Sequence, residues 1–80
     1  MTDLSIVLDE RGRRCPLPVI ALSRSVLANP GTVIAVLADD PAAEFDIPAW
    51  CRLKGAEFLG VEDEPAGGRR YVVRAPSKAG

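Results

Sequence analysis

Apolar residues along this chain switch repeatedly between the spacing of a strand and that of a helix. Residues 4–8 are rich in Leu, Ile and Val and predict a short buried strand. A charged, glycine-broken loop follows over residues 9–14. Over residues 18–28, Val19, Leu22 and Val26, with Ile20 and Leu27, recur at three- and four-residue spacings, which makes one helical face. Asn29-Pro30-Gly31 ends that helix, because proline cannot continue it and Asn or Gly tolerates the cap geometry.

Residues 32–38 (TVIAVLA) are β-branched and almost wholly apolar, the pattern of a central strand covered on at least one face. Asp39-Asp40-Pro41 then opens a second helical segment, with Asp40 as N-cap and Pro41 at the first helical position. Pro48 interrupts this segment, so the expectation is an irregular first turn and a main helix over residues 46–53 closed by Gly55. Residues 57–62 partly alternate as a strand, residues 64–68 make a turn, and residues 70–75 return as the second arm of a hairpin. Residues 76–80 are a small polar tail, expected to fray.

The order βαβαββ implies parallel pairing of the first two strands, with the closing hairpin adding an antiparallel pair. The predicted fold is therefore an α/β two-layer sandwich (α+β) with a mixed four-stranded sheet and two helices. Eighty residues are read as a single domain, residues 1–80, with a core over residues 4–75.

Composition narrows the function classes. A formal charge of −1 supplies no basic field to hold nucleic acid. No apolar run approaches the roughly 18 residues of a membrane helix, and the first residues lack the pattern of a signal peptide. A cytoplasmic protein is expected. Two cysteines, Cys15 and Cys51, with no histidine fall short of an ordinary zinc site, so neither metal nor cofactor is expected. In a reducing compartment a structural disulfide between them is not expected either.

The chemistry concentrates at Cys15. It and Leu17 each precede a proline, which disfavours α geometry and places Cys15 in extended backbone just ahead of the helix. Its thiol then sits near the positive end of the helix dipole, with Arg11, Arg13 and Arg14 nearby. A fall of up to roughly 1.5 pKa units from a free value near 8.5 is expected, enough to raise the thiolate share at neutral pH. Two readings stand side by side: a reactive thiol, or a small apolar residue in a proline-rich turn beside a solvated arginine loop. Without histidine there is no Cys–His dyad and hence no base-assisted acyl transfer. Thiol exchange favours a nearby resolving thiol, and Cys51 is distant in sequence. Carriage of a persulfide needs only an exposed sulfur and docking surfaces.

Leu8-Asp9, Gly12, Cys15-Pro16-Leu17-Pro18, Ala38-Asp39-Asp40-Pro41 and Asp46-Ile47-Pro48 together resemble the small TusA/SirA-like sulfur-carrier family, over residues 6–75. The resemblance implies a two-layer βαβαββ fold and a chain that accepts sulfane sulfur from a cysteine desulfurase or rhodanese-like donor. It further implies delivery to an acceptor protein in tRNA thiolation, molybdenum-cofactor maturation or sulfur oxidation. Cys15 would bear the persulfide, Pro16 and Pro18 would complete the motif with Arg14 positioning it, and Arg11 and Arg13 would assist docking. Leu17 occupies a position where some relatives carry an acidic residue. Asp39, Asp40 and Asp46 belong to the family pattern but read as structural, Asp40 capping a helix and Asp46 capping its regular part. Cys51, between Trp50 and Leu53, reads as a packed thiol, and Trp50 as core or edge packing. A monomer without nucleic-acid or membrane partners is expected. The competing class is a non-catalytic regulatory or interaction module that keeps the motif for its shape. RNA binding, which similar small sheets support elsewhere, is disfavoured by the charge and the scarcity of aromatics.

Overall fold

The structure, a computed structural model, describes residues 5–77. The elements run β1 (Ser5–Asp9), α1 (Leu17–Ala28), β2 (Val33–Ala38), α2 (Ala43–Lys54), β3 (Glu57–Asp63) and β4 (Arg69–Arg74). They form one four-stranded sheet in the order β1-β2-β4-β3, with β1 parallel to β2 and the other two pairs antiparallel. The predicted α+β fold and its element order hold. Leu4 and residues 78–80 lie outside the described residues, and so does most of the expected tail.

Strand alternation decides which face meets the helices. In register across the sheet, Ile6, Ile34, Val73 and Phe58 make one apolar row, and Leu8, Val36 and Tyr71 make the next, with Val61 exposed opposite Tyr71 on the edge strand. Leu22 and Val26 of α1 and Ala43, Ile47, Trp50 and Cys51 of α2 pack with these rows to form the core. On the other face Leu37 is also buried, although no helix covers it. It stands between Asp9 and Arg70 in register, and these are held in ion pairs with Arg11 at 2.8 Å and Glu64 at 3.3 Å.

Pro48 does not interrupt α2, contrary to the sequence expectation: the helix runs unbroken from Ala43 through Pro48 to Lys54. The only bond lost is Pro48's own N–H to the Glu44 carbonyl, which lies in the exposed first turn where water can replace it. Asp46 therefore sits inside the helix and caps nothing. Gly55 closes α2 at φ +75, as expected, and the Ala56 N–H reaches back to the Cys51 carbonyl at 3.0 Å.

Candidate functional site

The loop between β1 and α1 is tied down at each step. The Glu10 N–H continues the sheet by donating to the Leu37 carbonyl at 2.8 Å. Gly12, at φ +83, donates its N–H to both carboxylate oxygens of Asp39, at 3.0 and 3.1 Å. The Cys15 N–H donates to Oδ2 of Asp40 at 3.0 Å, while Oδ1 of Asp40 accepts the Ala42 N–H at 2.9 Å. Asp40 is not the N-cap of α2, contrary to the sequence expectation, because the helix starts at Ala43 with Ala42 at its N-cap and Pro41 in the preceding turn. The Asp40 carboxylate instead ties down that turn and also holds the main chain of Cys15, which the sequence does not reveal.

Cys15 is half-buried, packed against the core, and joined to Pro16 by a cis peptide. Pro16 stands at the N-cap of α1 and Pro18 is buried in its first turn. Free donors are few there: Leu17 donates to the Arg14 carbonyl, Ile20 to that of Pro16, and Pro18 has no N–H.

The structure reverses the expected electrostatics of the thiol. Burial pushes Cys15 up from the ordinary 9.0 to about 11. The carboxylate of Asp46 close to the thiol, and then the charge of Asp40, act in the same direction. The arginines do not offset this, because two of them are committed elsewhere. Arg11 binds Asp9 through two nitrogens at 2.9 and 2.8 Å, which holds the Asp9 carboxyl down at about 2. Arg13 pairs with Glu10 at 3.6 Å. Arg14 remains beside Asp40 and, with Gly12, Arg13 and Pro41, lines a cleft of about 330 Å³ on the loop that leads into Cys15.

Asp40 is held below the ordinary carboxylate range by the Ala42 and Cys15 N–H groups. Cys51 is buried in α2 and pushed up to about 11 by that burial, consistent with a packed thiol. Trp50 is core. Among the described residues, no three His, Cys, Asp or Glu side chains are placed to hold a metal ion. No helix of the described residues is long and apolar enough to cross a membrane.

Sequence reasoning missed Tyr71. It falls within the return strand over residues 70–75, but burial raises its hydroxyl, which also lies near enough to Glu44 and Cys15 for their charges to add to that. It also missed that α2 delivers Asp46 to the thiol, since nothing local to either residue signals the pairing.

Two comparisons bear on this arrangement. A sequence model of the family described as "Sulfurtransferase TusA" matches residues 6–75. A protein of Pseudomonas entomophila (strain L48) named "Sulfur carrier protein TusA" is 44% identical over 78 residues, covering 92% of this chain and 95% of its own.

Proposed function

The chain belongs to the TusA sulfurtransferase family, and on that premise we propose that it carries sulfane sulfur as a persulfide on Cys15. The observation that carries this reading is the placement of Cys15. A half-buried thiol stands ahead of a helix on a loop fixed by Asp39 and Asp40, that loop lining a cleft, in a chain without histidine. A persulfide relay asks little more of a site.

The donor is a protein persulfide, R–S–SH, of the cysteine desulfurase or rhodanese-like kind. The Cys15 sulfur attacks its terminal sulfur, the donor's S–S bond breaks, and the electron pair goes to the donor's inner sulfur. The Cys15 proton ends on that leaving sulfur, so the products are Cys15–S–SH and R–SH with no net oxidation. The second transfer repeats the step with an acceptor protein as nucleophile. A cytoplasmic setting and a role in tRNA thiolation, cofactor maturation or sulfur metabolism accompany this reading. So does a single domain over residues 1–80.

Incubation with a cysteine desulfurase and cysteine should add the mass of one sulfur atom, removable by reductant, and Cys15→Ser should add none. Sulfur retained on the Ser variant sinks the proposal. One observation favours the second reading, an interaction module: the thiol is held protonated by its neighbours. That module would bind its partner equally well after Cys15→Ala and take up no sulfur.

A further inference from the structure

Where the end of β2, the start of α2 and the β3–β4 hairpin meet lies a second cleft of about 300 Å³, which shares with Cys15 the Asp40 carboxylate that holds the cysteine's N–H. Its walls are unevenly charged. Asp39, Asp40, Glu44 and Asp63 face one cation, Arg69. That guanidinium is held loosely, at 3.6 Å from Glu44 and 3.5 Å from Asp63, and nearly half of its side chain is exposed. These acids are not spaced to close around a metal ion.

Tyr71 supplies a separate observation. It is only 2% exposed and lines the cleft, yet its hydroxyl makes no hydrogen bond to any described residue. The oxygen is not sealed in, because no fully enclosed polar atom lacks a partner. It therefore opens on the cleft, among the charges of Arg69, Glu44 and Cys15. With no acceptor or donor for it among the described residues, the hydroxyl is free to meet a group that enters the cleft.

We propose that this cleft receives a cationic side chain, a lysine ammonium or arginine guanidinium, from the protein that exchanges sulfur with Cys15. Its N–H groups meet the Tyr71 oxygen and the Glu44 and Asp63 carboxylates, and Arg69 swings out to solvent. A charge-assisted set of this kind fixes orientation as well as contact, so it registers the partner's sulfur over Cys15. The partner's charge also opposes the field that Asp40 lays on the thiol. The inference rests on the carrier reading for its partner, but the cleft can be tested without one.

The probe is N-acetyl-lysine methylamide, titrated to millimolar concentrations into the ¹⁵N-labelled full chain, with N-acetyl-norleucine methylamide as the uncharged control. Saturable shifts at the Glu44, Arg69 and Tyr71 amides with the lysine compound alone are expected. Tyr71→Phe and, independently, Glu44→Gln on the exposed helix turn should each weaken binding about five- to tenfold. Equal shifts with both compounds, or wild-type affinity in both variants, overturns the cleft. In sulfur loading from a donor protein, both variants should raise KM by a similar factor. An unchanged KM overturns the partner's role. If the wild-type chain takes up no sulfur from any donor, the carrier reading fails, and the lysine titration still decides the cleft.

Discussion

The sharpest prediction concerns the ionisation of Cys15, where sequence and structure point in opposite directions. With the thiol pushed from 9.0 to about 11, its thiolate share near neutrality is about a hundredfold below that of an unperturbed cysteine. A more basic thiolate is also a better nucleophile, which returns a factor of about 6–10. The net expectation is that iodoacetamide alkylates Cys15 in the folded chain about tenfold more slowly than in the urea-unfolded chain at the same pH. Peptide mapping by mass spectrometry separates Cys15 from Cys51, and the pH profile of the folded chain should have its midpoint well above 9. Asp46→Asn removes a charge but leaves the burial, so the midpoint should fall by roughly one pH unit. The rate near neutrality should then rise roughly threefold. Arg11→Ala should change little, because that guanidinium already serves Asp9. A folded-state midpoint below 8, or a slow-down in Arg11→Ala as large as the Asp46→Asn gain, refutes this account and restores an arginine-activated thiol.

Other perturbations follow from the same contacts. Asp40→Ala strips the acceptor from two N–H groups at once, so its urea midpoint should fall further than that of Asp40→Asn, which keeps one acceptor. The Asp9 carboxyl, lowered from 3.8 to about 2, is ionised more readily in the folded than in the unfolded chain. It therefore contributes stability above about pH 4 that is lost as pH falls toward 2, and Asp9→Asn should flatten that acid limb in circular dichroism. Cys51 has the opposite sign: raised from 9.0 to about 11, it contributes stability below 9 that is lost as pH climbs through 11. Cys51→Ala should remove its share of the alkaline loss, cost about 1–2 kcal/mol for the vacated volume, and leave sulfur uptake intact. Gly68→Ala should cost about 2 kcal/mol or more in chemical denaturation, since at φ +78 its Cβ would meet the Ala38 carbonyl oxygen at 2.7 Å. Gly12→Ala, at a similar φ but in open space, should cost about 1 kcal/mol.

What the sequence reveals and conceals divides along a physical line. Strands and helices were legible because burial imposes a period, and the rows from Ile6 to Phe58 and from Leu8 to Tyr71 are that period completed across the sheet. Asp40-Pro41 was legible as the turn into α2 because an Asx–Pro turn is local, but the helix itself starts two residues later, at Ala43. Pro48 misled, since a rule about helix interiors says nothing of a first turn whose freed carbonyl meets water. The arginines misled in a more instructive way. Sequence proximity to Cys15 is not proximity to its sulfur: Arg11 turns back to Asp9 and Arg13 to Glu10, both only two or three residues away. Meanwhile α2 brings Asp46, and β4 brings Tyr71, from parts of the chain that share no local signal with Cys15.

On the carrier reading, a thiol held protonated is an advantage. Loading requires Cys15 to attack as thiolate, and unloading requires it to depart as thiolate; a raised thiol slows both steps. Left alone, the empty carrier is then a poor target for stray electrophiles, and the loaded one yields its sulfur reluctantly to stray thiols. The chain has no histidine to relieve this, and Arg11 and Arg13 are paired with Asp9 and Glu10. A docking cation acts on the same charges that hold the proton, and it acts only while a partner is present. Reactivity would then follow docking rather than exposure. The alkylation rate of Cys15 should therefore rise on mixing with a non-transferring variant of a donor protein, one that lacks its own persulfide cysteine. It should do so less in Glu44→Gln, although that substitution removes a negative charge. If Cys15 becomes only more shielded on mixing, the proton is not under the partner's control.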